Sequence, residues 1–166
     1  MSTPAPTTLL QTFVNLSALL TGIDAGKLAP QIDPKNIKQV YFDYASAAQP
    51  GCDFYKLLAI YAANATLPPA QIADIIFQQS GTNICYMARS VMLMWYLGSW
   101  YTPEDLQKTG TNKAPPDSVV ISSAAYTQGW AWNVAQAHPM GYSNFQFGYW
   151  ANNPPALSDF VGGAGA

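Results

Sequence analysis

The sequence predicts a mostly α-helical single domain: a bundle of about five to six helices around a buried central helix at about 83–98, followed by a largely irregular aromatic C-terminal tail. The central stretch, ICYMARSVMLMWYLGSWY at 84–101, contains one charged residue, Arg89, and no Gly or Pro before Gly98. A helix that is apolar all round is normally buried in a core or lies in a membrane. Arg89, Gly98 and a length below the roughly 20 apolar residues of a bilayer span favour the core.

The segments before the central helix carry apolar residues at helical spacing, separated by short links, as in antiparallel bundles. A first helix is predicted at about 8–21, with a threonine cap at its start and Gly22 at its end. Residues 24–32 are predicted to form a short helical turn or loop. Asp33 and Pro34 predict the start of a second helix, with Asp33 as N-cap and Pro34 at the first helical position, and this helix ends near Pro50.

Two more helices are predicted at about 52–65 and 69–79, separated by the breaker Leu67-Pro68-Pro69. Residues 80–83 then form the turn before the central helix. At helical spacing, one face of that apolar stretch carries Ile84, Ala88, Val91 and Trp95. A second face carries Cys85, Met92 and Tyr96, and a third carries Leu93 and Trp100.

After Tyr101 the composition changes, which divides the chain into a loose end at 1–6, a helical bundle at 7–101 and a third region at 102–166. In that third region, residues 102–105 could cap a brief turn, 108–117 form a polar surface loop, and 119–121 form a short extended run. One further helix is predicted at about 124–136. The rest is an extended aromatic tail that packs on the bundle or on a partner, because it has little secondary structure of its own.

The surface of this chain cannot be covered with charge. Only 10% of residues are charged, with 7 basic and 9 acidic, whereas 49% are hydrophobic and 13% aromatic. An average domain has about 25% charged residues, and monomers rarely expose large apolar patches. We therefore expect a permanent subunit whose aromatic residues contact a partner. A net charge of −2 gives no basic footprint for nucleic acid. The predicted interface consists of Trp95, Tyr96, Trp100, Trp130, Trp132, Phe147, Tyr149 and Trp150.

For the central helix itself, a plain core role is favoured over a docking role, although an exposed flank rich in Trp and Tyr would suit a partner. The two cysteines, Cys52 and Cys85, could be two buried thiols or one disulfide. The sequence alone does not distinguish these two states.

No catalytic, cofactor-binding or metal-binding residue is predicted. The sequence has one histidine, His138, in a loop with Pro139, and no nucleotide-binding or nucleophile motif. Its aspartates lack the spacing of a metal site. A small enzyme using His138 and Tyr142 remains a rival interpretation, but an interaction protein fits the residues better.

Four short segments resemble motifs of one family, in the same order and with similar spacing from about residue 7 to 155. They are the FVNLSALLTG opening at 13–22, the WYLG end of the central helix at 95–98, the VVI segment at 119–121, and the closing GYWANNP at 148–154. On these segments the chain resembles the small subunit of the bacterial membrane-associated FAD-dependent sugar and alcohol dehydrogenase complexes, whose members include the sorbitol, fructose and glucose dehydrogenases.

The resemblance implies a non-catalytic accessory subunit that helps a large partner to fold. In that family the large subunit is of the glucose–methanol–choline type and carries FAD, and a multihaem cytochrome c subunit receives the electrons. The implied location is the periplasm, at the outer face of the cytoplasmic membrane, which the chain touches only through the complex. The family usually carries a twin-arginine export signal; since none is present in this sequence, export is inferred by analogy. A free-standing helical interaction or chaperone protein is the alternative.

Overall fold

The computed structural model describes residues 6–48, 53–109, 116–135, 137–139, 153 and 156. The described chain is mostly α-helical, as predicted, with one two-stranded sheet. In chain order the elements are α1 (Pro6–Thr21), α2 (Ala25–Leu28), α3 (Ile37–Ala48), α4 (Asp53–Asn64), α5 (Pro69–Asp74), a π-helical turn (Ile75–Gln79), α6 (Thr82–Leu97), β1 (Ser99–Tyr101), α7 (Pro103–Thr109), β2 (Ser118–Val120), α8 (Ser123–Thr127) and α9 (Trp130–Val134).

The central helix is α6, and its position confirms the prediction for 83–98. It packs against α1, α4 and the π-helical turn on one side and against β1, α7 and α9 towards its C-terminal end. Ile84, Ala88, Val91 and Trp95, which share one face of the helix, are all buried. The helix is not buried all round, however, because Arg89 is exposed and its guanidinium lies over the Tyr86 ring, 4.9 Å from the centroid.

Aromatic side chains hold the centre of the core. Phe13 of α1 stacks on Trp95 of α6 with ring centroids 6.1 Å apart, and Tyr41 of α3 meets Trp95 edge to face at 4.8 Å. Phe54 of α4 meets Phe13 at 5.8 Å. Such pairs contribute about 0.5–1.5 kcal/mol each beyond the area they bury. One ring, that of Trp95, therefore ties α1 and α3 to the central helix.

The start of α3 differs from the prediction. Asp33 does not cap a helix: residues 33–36 form a turn in which the Asn36 N–H donates to the Asp33 carbonyl, and α3 begins at Ile37. Asn36 has a φ of +47°, a left-handed conformation that asparagine adopts more readily than most residues and that a helix cannot include. The Asp33 side chain instead pairs with Lys38 at 3.1 Å.

The region after α6 also differs. The predicted brief turn at 102–105 is the first part of α7, where Thr102 and Asp105 form a reciprocal cap: the Asp105 N–H donates to the Thr102 hydroxyl, which donates to the Asp105 carboxylate at 2.8 Å. The helix predicted at 124–136 is two short helices separated at Gly129. The extended run pairs with residues that follow α6, in antiparallel register Ser99↔Val120, Trp100↔Val119 and Tyr101↔Ser118.

Candidate partner-binding site at the end of the central helix

The helices α8 and α9 and the link between them, residues 123–134, form a corner that we call the α8–α9 corner. Two glycines allow this corner to pack against the C-terminal end of α6. Gly98 ends α6 with a φ of +65°, and its N–H donates to the Met94 carbonyl. A Cβ atom at position 98 would lie 2.3 Å from the carbonyl oxygen of Ala125 in α8. A Cβ atom at Gly129 would lie 2.8 Å from the carbonyl oxygen of Tyr96. Because these neighbours are backbone atoms, a side chain at either glycine would push the corner away.

The corner carries Trp130 and Trp132, both half-buried. The indole N–H of Trp132 donates to the Tyr126 carbonyl at 2.7 Å, and the two rings meet edge to face at 5.3 Å. The Ser122 hydroxyl caps α8 by accepting from the Ala125 N–H at 3.0 Å. These bonds fix the orientation of Trp132 while leaving part of both indoles accessible, which agrees with a surface role.

Tyr96 joins this end of α6 to α1. It is half-buried, and its hydroxyl donates to the Thr21 carbonyl at 2.7 Å. Burial raises the pKa of the Tyr96 hydroxyl above its ordinary value, so the group remains a donor at neutral pH. The Thr21 carbonyl lies at the end of α1, where no further helical turn satisfies it, and Tyr96 supplies the missing donor.

Trp95 and Trp100 are not surface residues. They are 2% and 3% exposed, so in the folded chain neither offers a face to a partner, and the prediction that they form an interface requires this correction. Trp100 lies on β1, although helical spacing had placed it on a face of the central helix, and its ring packs near Tyr44 at 5.9 Å. Both indole nitrogens are buried without a hydrogen-bond partner.

The other predicted interface residues, Phe147, Tyr149 and Trp150, lie outside the described residues. Cys52 lies outside them too. Cys85 is half-buried on α6, and whether it pairs with Cys52 stays a prediction. His138 is half-buried, and its Nδ1 lies 3.1 Å from the Pro139 carbonyl oxygen.

A half-open cleft of about 260 Å³ lies beside the corner. It is lined by residues from four segments of the chain: Lys27, Leu28, Pro30, Asp33, Ile37, Trp95, Gln128, Trp130 and Asn133. Sequence reasoning identified only the two tryptophans as functional candidates. The other lining residues carry no motif, because they belong to segments that are distant in the sequence and meet only in the folded chain.

Three of the four segments that carry the family resemblance meet at this end of α6. The hydroxyl of Tyr96, in the second segment, bonds the carbonyl of Thr21, in the first. In the third segment, the Ile121 N–H donates at 3.1 Å to the carbonyl of Gly98, which closes the second. The fourth segment, 148–154, falls almost wholly outside the described residues. Segments that are scattered along the sequence thus form one contiguous region.

Among the described residues, no three His, Cys, Asp or Glu side chains lie together as a metal site would require. Nor does any helix in this part of the chain have the length and apolar character needed to cross a membrane.

No protein-family model, no curated protein and no solved structure matches this chain.

Proposed function

We propose that this chain is the non-catalytic small subunit of an FAD-dependent sugar or alcohol dehydrogenase complex, and that it supports folding, stability and export of the flavoprotein subunit. The observation that carries the proposal is the meeting of three resembling segments at one end of α6. Gly98 and Gly22, which end two of these segments, both have a positive φ, a backbone conformation that favours glycine. The glycines of these two motifs therefore have a structural reason to be there.

A low-charge surface supports the same proposal. The described chain exposes large apolar side chains on several elements: Ile32 at 87%, Val119 at 59%, Val120 at 54%, Val134 at 47%, Tyr55 at 45% and Leu67 at 37%. Two of them belong to β2 and one to α9, near the C-terminal end of α6. Obligate interfaces are large, above roughly 2,000 Å² in total, and more apolar than transient ones. We expect the partner to cover this end of the molecule and the aromatic tail.

The expected partner is a flavoprotein of the glucose–methanol–choline type that holds FAD and performs the oxidation. A multihaem cytochrome c subunit would pass the electrons to the membrane, and the complex would act in the periplasm. In this arrangement the small subunit contributes binding surface and no reacting group.

Purification through a tag on this chain tests the proposal. Wild-type chain should bring down a larger yellow protein with the absorption spectrum of bound flavin. The double variant Tyr149→Ala/Trp150→Ala should retain less of it, since truncating an aromatic anchor typically costs about 2 kcal/mol or more. Tyr55→Ala, an exposed aromatic on α4, is the matched control and should retain the partner. Recovery of no flavoprotein from the native source would reject the proposal.

The alternative is a free-standing helical interaction or chaperone protein without a flavoprotein partner. It rests on the same apolar surface without the motif contacts. Purification separates the two, because a free-standing chaperone would bring down diverse unfolded clients in place of one flavin-bearing chain.

A further inference from the structure

The outer edge of the two-stranded sheet, along β2, is unpaired. The Ile121 N–H donates to the Gly98 carbonyl at 3.1 Å, and in the same register Val120 lies opposite Ser99. Successive residues of a strand direct their N–H and C=O groups to opposite sides, so those of Ser118 and Val120 point away from β1. In the part of the chain that the structure describes, these outward groups have no hydrogen-bond partner. β2 therefore presents a row of main-chain donors and acceptors that can pair with another strand.

The residues of β2 themselves carry none of the usual protection against such pairing. Natural proteins protect an edge strand with charged residues, proline or a bulge within it. Here the strand reads Ser-Val-Val and all three residues are exposed, with Val119 at 59% and Val120 at 54%. Pro116 and Asp117 come before the strand and not within it. Since extended main-chain groups are matched by another extended chain, the occupant of this edge is a strand.

A second copy of β2 is complementary to this edge. Antiparallel pairing about a two-fold axis at Val119 places Ser118 of each copy opposite Val120 of the other. The outward N–H and C=O groups then face one another, and four hydrogen bonds form. Val119 lies opposite Val119 of the second copy, in the close type of pair where β-branched side chains contact well. Asp117 lies opposite Ile121 of the second copy, so no two like charges meet.

Both ends of this strand limit the length of the new ladder. Pro116 has no N–H to donate, and the Ser122 carbonyl already accepts from the Tyr126 N–H of α8 at 2.9 Å. The register about Val119 uses only the residues between these limits. So short a contact belongs with the small interfaces that bury less than about 1,200 Å² in total, which are weak and reversible.

We propose that two copies of this chain pair through the β2 edge, forming a four-stranded sheet across a weak, two-fold symmetric dimer. β2 is part of the surface that the flavoprotein is expected to cover, so the dimer is a state of the free chain. It forms without the flavoprotein, and neither proposal falls with the other.

Sedimentation of the full chain, from about 10 μM to about 1 mM, tests the dimer. Wild-type chain should show a reversible monomer–dimer equilibrium with a dissociation constant in about that range. Val119→Lys and Val119→Asp should each weaken the dimer by about tenfold or more, because like charges then face each other across the axis. An equimolar mixture of the two variants should restore a dimer that contains one chain of each. Val134→Lys, the same change at an exposed valine of α9, is the matched control and should dimerise like wild type.

A second variant and a second measurement test the edge itself. Val120→Pro removes an outward donor, as edge strands tolerate, and should also weaken the dimer. Amide hydrogen exchange at the Val120 N–H should slow as the concentration of the chain rises.

Four outcomes would overturn the proposal. The first is a wild-type chain that stays monomeric at about 1 mM, and the second is a mixture of the two charged variants that stays monomeric. The third is self-association that Val119→Lys and Val120→Pro leave unchanged, which would place the contact elsewhere. The last is protection of the Val120 N–H that is equal at every concentration, which would assign the edge to a segment of the same chain.

Discussion

Replacing Gly98 by alanine should dislodge the α8–α9 corner from the central helix. Two costs add at this position. The left-handed backbone, at φ +65°, costs a non-glycine residue about 1–2 kcal/mol. The new Cβ atom would also lie 2.3 Å from Ala125 O and 2.6 Å from Tyr126 N, where only a backbone shift gives relief. Overpacking of this kind costs about 1–3 kcal/mol, so the total loss is about 2–5 kcal/mol.

Gly22→Ala is the matched control. Gly22 has a similar φ of +73°, but nothing lies within 4 Å of its Cβ position. It should therefore lose only the backbone term, about 1–2 kcal/mol. Thermal unfolding followed by circular dichroism measures both, at about 2–4 °C of Tm per kcal/mol for a chain of this size. Equal losses for the two variants would refute the packing of α8 on Gly98.

Three further outcomes are expected from side-chain hydrogen bonds and burial. Stability should fall as pH rises through and above about 10, because burial raises the pKa of Tyr41 above its ordinary value of 10.0: the unfolded chain ionises there while the folded chain keeps the proton. Urea unfolding at pH 8 to 11 measures this, and Tyr41→Phe should flatten the loss; an unchanged profile in that variant would assign the effect to other groups. Tyr96→Phe should lower the free energy of unfolding by about 1 kcal/mol, because the hydrogen bond from the Tyr96 hydroxyl to the Thr21 carbonyl is lost. An unchanged urea midpoint would show that this bond makes no net contribution to stability. The Thr102 hydroxyl, and to a smaller extent Lys108, hold the pKa of the Asp105 carboxyl below its ordinary value, so Thr102→Val should raise that pKa, as a carboxyl-carbon NMR titration would detect. The stability linked to Asp105 is present above the pKa of this group in the unfolded chain, and it is lost as pH falls through the pKa in the folded chain.

The bundle could be predicted from periodicity because its helices bury apolar faces at regular spacing. The packing at the C-terminal end of α6 could not be predicted in this way. Gly98 reads in sequence as a helix stop, but its closeness to Ala125, a residue far along the chain, depends on tertiary packing. The split of the 124–136 helix at Gly129 has the same cause. Ile75–Gln79 keeps a helical pattern while widening to a π-helical turn, with the Ser80 hydroxyl donating to the Ile75 carbonyl, and hydrophobic spacing does not detect that change.

The interface predictions erred where residue type was taken as a measure of exposure. Trp95 and Trp100 are large aromatics, which serve cores and interfaces equally well, and only the fold shows that both are buried. Trp130 and Trp132 are only half-buried, on the short helix α9. The cleft was invisible in the sequence because Lys27, Asp33 and Asn133 belong to distant segments without periodic pattern.

The central claim, that this chain is an obligate partner of a flavoprotein, is tested most directly by expressing each chain singly and both together. Soluble yield, bound FAD and dye-coupled dehydrogenase activity are then measured for each preparation. The account predicts that the small chain alone self-associates, that the large chain alone is poorly soluble or lacks flavin, and that co-expression restores FAD and activity in the large chain. A well-behaved monomeric small chain beside a fully active large chain made without it would contradict the account.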